Sequence, residues 1–179
     1  MIASLALVGF LATQPASNAS RVLEVPRLGL EVLNPGVVGR KLIHLDDTIG
    51  PTARSVGPHA KAKGLLVYAT SPECDACSAD LDALDAVAEK TRALGGLVVV
   101  VVLVDKRDDA DAARKAFAGS KHLSVLTLDS HGLARRALEL SGPRRALVFR
   151  SDGRAVGSYL ENPAANAAKK LAEILEEDR

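Results

Sequence analysis

Cys74 and Cys77 are the only two cysteines in the chain, and Asp75 and Ala76 separate them. A bond between them closes too small a loop to add much stability through chain entropy. A lone pair also builds no disulfide framework. What the spacing suits is dithiol chemistry. The thiolate is the nucleophile of disulfide exchange, and a helix N-terminus favours that ionised form through its unpaired N–H groups and partial positive charge. A pair at a helix start puts the first cysteine at the exposed end. The second lies one turn inward, placed to attack a mixed disulfide and release product. Cys74 is thus the expected nucleophile and Cys77 the resolving thiol. The same pair is half of many zinc sites, but a structural zinc needs about four ligands. His44, His59, His122 and His131 are scattered and bring no second paired motif. No metal or other cofactor is expected beyond the redox-active disulfide itself.

The elements around the pair must present it. Residues 65–69 are a short apolar run, read as a buried strand, that stops at Ser71-Pro72. Beyond the dithiol, Cys77, Leu81, Leu84, Ala88, Thr91 and Leu94 recur at steps of three and four, one face of a helix that Gly95-Gly96 ends. Residues 97–104 are apolar without alternation, the pattern of a parallel strand covered on both faces. A helix over 108–118, a strand over 124–128 and a helix capped by Ser130 and running to Leu140 follow. Pro143 opens a strand over 146–150. Ser151-Asp152-Gly153-Arg154 turns it back into a partner over 155–160. Asn162-Pro163 starts the last helix. Ahead of the dithiol, 41–45 reads as a strand and 51–63 as a loop. This order predicts an α/β domain with a central mixed sheet flanked by helices.

Composition bounds the rest. Apolar residues make up 47% and aromatics 3%, with no Trp, so the core is built from aliphatic side chains. The net charge of +1 comes from mixed acids and bases. With no basic stripe, nucleic acid is not an expected partner. The run 2–12 is apolar, and Ser17-Asn18-Ala19 offers small residues where a signal peptidase reads. Residues 1–19 therefore read as a signal peptide cleaved after Ala19, although no Lys or Arg precedes the run. The run is shorter than the roughly 18 residues of a membrane span, so membrane association is expected only through 1–19. The expected location is the periplasm or another exported compartment. Residues 20–36 read as an N-terminal extension and 37–179 as the domain.

The segment 65–77, LLVYATSPECDAC, resembles the active-site strand and helix start of thioredoxin-fold proteins. Gly142-Pro143, the following strand and the Asp152-Gly153 turn resemble their cis-proline strand and hairpin. The block from Val98–Asp105 to Leu126–Asp129 is similar to the strand and helix inserted in the TlpA/ResA branch and its peroxiredoxin-like relatives. The long gap from Cys74 to Pro143 suits that branch. So does 39–50, GRKLIHLDDTIG. The resemblance covers about 37–177. It implies a thioredoxin-like fold with the TlpA/ResA insertion, and a cis Pro143 beside the dithiol. It also implies that the backbone of Gly142 pairs with a substrate strand.

Three flanks depart from the family. Glu73 stands where Trp is usual before the first cysteine. Tyr68 stands where thioredoxins often hold a buried acid. Asp75 lies between the cysteines. Exposed carboxylates oppose the helix end on a similar scale, since water screens both. The expected dithiol is therefore a reductant or isomerase rather than a strong oxidase. Arg144 and Arg145 can offset those acids, and strand alternation points one of them toward the site.

The resulting expectation is an exported thiol–disulfide oxidoreductase that takes protein disulfides or dithiols as substrate and electrons from an upstream thiol donor. A thiol peroxidase is the first alternative. Its usual Pro-x-x-x-Thr-x-x-Cys pattern fits poorly, because Thr70 lies four before Cys74 and Pro72 is displaced. A redox-inert or copper-carrying module is the second, with His131 as its distant ligand, although the copper relatives space their cysteines one residue wider.

Overall fold

The computed structural model describes residues 22–50 and 62–177. The expected signal peptide, His59 and most of the loop 51–63 lie outside the described residues. In chain order the elements are β1 (Gly29–Val32), β2 (Leu42–His44), β3 (Gly64–Thr70), α1 (Cys77–Arg92), β4 (Gly96–Leu103) and α2 (Arg107–Phe117). Then come β5 (Val125–Asp129), α3 (Leu133–Ala137), β6 (Arg145–Arg150), β7 (Ala155–Tyr159) and α4 (Pro163–Glu177). The strands form one seven-stranded sheet in the order β2-β1-β5-β4-β3-β6-β7. The central pairs β3/β4 and β4/β5 are parallel, and β1, β2, β6 and β7 join antiparallel.

The uninterrupted valines of β4 are explained by this placement. Val98, Val100 and Val102 face a layer formed by α1, α2 and α4, while Val99, Val101 and Leu103 face the opposite core. β3 divides in the same way. Leu66 and Tyr68 join the helical layer, and Leu65, Val67 and Ala69 join Phe149, Leu138 and Leu140 on the other side. Because side chains alternate along a strand, this register delivers Tyr68 to the face on which α1 packs. Gly96 permits the close approach of α1 to the sheet: a Cβ there would lie 2.6 Å from Thr91 Cβ.

Three expectations are corrected. The stretch 20–36 is not merely appended: Gly29–Val32 is an inner strand between β2 and β5. Buried Asn34 extends the attachment, accepting from Leu126 N–H at 2.8 Å and donating to the Ser124 carbonyl at 2.8 Å. Its alternation of exposed and buried positions over only four residues gave a weak strand signal. Second, α3 is a five-residue helix that stops at Ala137. Glu139 turns to φ +52 and ends the run. Third, its start is held by buried Asp129, not Ser130. The Asp129 carboxylate accepts from Ala134 N–H at 3.0 Å and Arg135 N–H at 2.8 Å.

Candidate active site

Cys74 and Cys77 are joined by a disulfide, with their Cα atoms 5.3 Å apart. Both follow β3, whose end at Thr70 delivers the chain to one edge of the helical layer. Cys74 lies in a turn whose N–H donates to the Ser71 carbonyl at 3.2 Å. A second turn joins the pair, with Cys77 N–H donating to the Cys74 carbonyl at 3.0 Å. The helix itself begins at Cys77, so Cys77 is its first residue rather than one turn inside, and Cys74 precedes it. Ala76 at the cap position has no side chain to offer the first-turn N–H groups. The partial positive charge of the helix end is thus left facing the dithiol.

The two sulfurs differ in access. Cys77 is 2% exposed and packs with Leu81 and Leu84. Cys74 is half-buried and lines a groove of about 340 Å³ together with Pro72, Glu73, Val104, Asp109 and Pro143. An incoming thiolate therefore reaches Cys74. Glu73 and Asp75 are both exposed, so solvent screens their charges.

Pro143 lines the same groove as Cys74, but its peptide bond is trans, contrary to the cis bond that the resemblance implied; among the described residues there is no cis peptide bond. The bend into β6 is taken instead by Arg144 at φ +58. This left-handed conformation is uncommon outside glycine. It is held by the Arg144 N–H, which donates to the Ala69 carbonyl at 2.8 Å. Gly142 is half-buried in the same loop.

Arg144 and Arg145 diverge. The Arg145 guanidinium turns to the Glu139 carbonyl at 2.7 Å and Ser158 Oγ at 3.1 Å, away from the dithiol. Arg144 Nε donates to Asp80 Oδ2 at 3.0 Å. That same oxygen accepts from the Tyr68 hydroxyl at 2.6 Å. The Tyr68 oxygen lies 3.6 Å from Cys77 Sγ. Tyr68 is fully buried. Burial first, then its bond to the Asp80 carboxylate and that group's charge, push the phenol well above its usual range. Of these residues, Asp80 is the one that the sequence did not flag. Its position three after Cys77 puts it on the same helix face, which was the available signal.

The histidines stand apart. His44 ends β2, His122 precedes β5 bonded to Asp85, and His131 lies in the turn before α3. Among the described residues, no group of three or more His, Cys, Asp or Glu side chains converges as a metal site. Thr70 is buried at the end of β3.

No protein-family model matches the sequence, and no curated protein does. Solved structures do match, and they define the class: this is a thioredoxin-like fold. A putative thiol:disulfide interchange protein DsbE from Chlorobium tepidum superposes with a TM-score of 0.63 at 15% identity, covering 86% of this chain and 96% of its own. A secreted Mycobacterium tuberculosis disulfide oxidoreductase homologous to DsbE from E. coli gives 0.56 at 16% identity, covering 84% and 96%. Peroxiredoxin Q from Xanthomonas campestris gives 0.59 at 16% identity, covering 88% and 98%.

Proposed function

We propose that this protein is an exported thiol–disulfide oxidoreductase that reduces protein disulfides through Cys74 and Cys77. The observation that carries the proposal is the asymmetric disulfide at the start of α1, with Cys74 open to a groove and Cys77 buried behind it. In the reduced protein the Cys74 thiolate attacks a substrate disulfide. A Cys74–substrate bond forms and one substrate thiolate leaves. Cys77 then attacks Cys74 Sγ, the intramolecular disulfide forms, and the second substrate thiolate departs. Two electrons pass from the dithiol to the substrate. An upstream thiol donor restores them by attacking Cys74, the accessible sulfur. Pro143 lines the groove, and the proposal gives the Gly142 backbone the pairing with a substrate strand.

Export is supported by the apolar run 2–12 followed by small residues at 17–19. Among the described residues no helix is long and apolar enough to cross a membrane. The reductant direction is supported by Glu73 and Asp75, which oppose thiolate formation at Cys74.

Insulin reduction with a dithiol donor tests the activity. Cys74→Ser is expected to abolish turnover, and Cys77→Ser to accumulate a mixed disulfide. Equilibration with a redox buffer is expected to give a potential near about −270 mV, and a value near about −120 mV would reverse the assigned direction. Consumption of hydrogen peroxide with a thiol donor, without insulin reduction, would replace this reading by a peroxidase.

A further inference from the structure

The groove beside Cys74 joins two kinds of surface. Its floor is Leu103 and Val104, both buried where β4 ends. Its charged members are Glu73 before Cys74, Asp109 in the first turn of α2, and the pair Asp105 and Arg135. Arg135 is already committed. Its Nη1 lies 2.6 Å from Asp105 Oδ1, and its backbone N–H donates to Asp129. Asp109 Oδ2 accepts from the Lys106 N–H at 3.1 Å, at the start of α2. Neither Glu73 nor Asp109 forms an ion pair among the described residues. The groove lies outside the C-terminal ends of the parallel strands β3 and β4, where α/β sheets hold their ligands.

Resting on the dithiol reading above, we propose that this groove is a subsite for one basic side chain, a lysine or arginine next to the cysteine of the substrate disulfide. Such side chains carry an apolar stem and a charged head. The stem covers Leu103 and Val104, and the head meets Glu73 and Asp109. The volume of about 340 Å³ admits one long side chain. An apolar side chain in the same place leaves both carboxylates without a partner. An acidic one brings a like charge to them, because Arg135 is matched by Asp105 and offers no free cation.

The same contact acts on the rate. Glu73 adjoins Cys74 in the chain, and its carboxylate opposes the Cys74 thiolate. A substrate cation seated against Glu73 offsets that charge when Cys74 must be ionised to attack. The matching substrate is thus attacked faster as well as held more tightly. Glu73 and Asp109 decide which disulfide Cys74 meets. The exchange itself keeps the bonds and electrons already described.

The test uses the reduced full chain and disulfide-linked dimers of the peptide Gly-X-Cys-X-Gly, with X lysine, norleucine, glutamate or diaminopropionate. Each rate is divided by that of the same peptide with dithiothreitol, which removes the effect of X on the disulfide itself. The lysine peptide is expected to react about fivefold faster than the norleucine peptide, and the glutamate peptide about fivefold slower. Diaminopropionate carries its charge on a single methylene and should gain less than half of the lysine advantage. Asp109→Asn keeps an oxygen to accept from the Lys106 N–H and should cut the lysine advantage to about twofold. Asp108→Asn removes the same charge from an exposed neighbour that does not line the groove, and should keep that advantage. Equal rates for the lysine and norleucine peptides would overturn the subsite and leave the dithiol reading standing. So would an equal fall in both variants, or equal rates for lysine and diaminopropionate, since either reduces the effect to general charge attraction. Failure of the reduced chain to open any of the four peptides would overturn the dithiol reading itself, and the subsite with it.

Discussion

Helix α1 carries two carboxylates off the edges of its buried stripe, and they meet different surroundings. Asp80 lies beside the dithiol, and both its bonds fall on Oδ2, from the Tyr68 hydroxyl and Arg144 Nε. Asp85 lies further along and is filled on both oxygens. Its Oδ1 accepts from Leu123 N–H at 3.1 Å, Ser124 N–H at 3.0 Å and Ser124 Oγ at 2.8 Å, and its Oδ2 meets His122 Nδ1 at 2.6 Å. Two of those donors are backbone groups fixed by the entry of the chain into β5. Asp85 therefore staples α1 to the sheet. Asp80 holds two side chains, one of them touching sulfur. The same residue type on one helix serves architecture where backbone donors saturate it. Beside the dithiol it joins a buried tyrosine to a half-exposed arginine.

The largest effect that separates the two is on stability. Asp85→Ala leaves the N–H groups of Leu123 and Ser124 and the Ser124 hydroxyl without their acceptor. We expect a cost of about 2–3 kcal/mol near neutral pH, read by urea unfolding, with insulin reduction unchanged. A matching loss of insulin reduction would erase the distinction between the two carboxylates. The pH dependence has a defined sign. Burial raises the Asp85 carboxyl, but bonds from the Ser124 N–H, His122 and the Ser124 hydroxyl outweigh it and hold the group below the usual carboxylate range. Its contribution is therefore fully present above the unfolded value of about 3.9 and is lost as pH falls through the lower folded one. The stability gap between wild type and Asp85→Asn should shrink below about pH 4.

The sequence showed the dithiol, the strand before it and the paired faces of β4, because each has a local signal: a spacing, a boundary or an unbroken run. Tyr68 was singled out as a departure at a position that often holds an acid, and the structure finds an acid one bond away, supplied by α1. Asp80 and Asp85 went unread because each looks like one more solvated position among the many charges of that helix. What distinguishes them is the chain that arrives from residues 122–124 and 144; the three-residue step from Cys77 places Asp80 on the dithiol's side of α1 but does not report those partners. The trans Pro143 shows the converse. A resemblance in residue order implied a cis bond, while the turn is made one residue later by a backbone angle at Arg144 that its residue type does not favour.

His122 sharpens the comparison with a smaller effect. It is one of four donors to Asp85, and its side chain is 26% exposed. His122→Ala is expected to cost about 1 kcal/mol, less than Asp85→Ala, because the backbone donors keep their acceptor. A loss equal to that of Asp85→Ala would mean that the imidazole, and not the backbone bonds, holds β5 to α1.

The smallest effect is expected from Arg144→Lys. The guanidinium is 43% exposed and reaches Asp80 through Nε alone. Its backbone N–H remains bonded to the Ala69 carbonyl whatever the side chain. Lysine keeps the positive charge but carries no donor at the Nε position. Exposed ion pairs of this kind couple weakly, so the loss of stability read by urea unfolding should be smaller than in His122→Ala. Part of what remains of the difference should fade in high salt, because solvent ions screen the pair. Tyr68 still bonds Asp80 in this variant. If Arg144→Lys instead cost as much stability as Asp85→Ala, the guanidinium would anchor α1 as firmly as the backbone donors to Asp85 do. Both carboxylates would then staple α1 to the chain beside it, and the contrast between them would close.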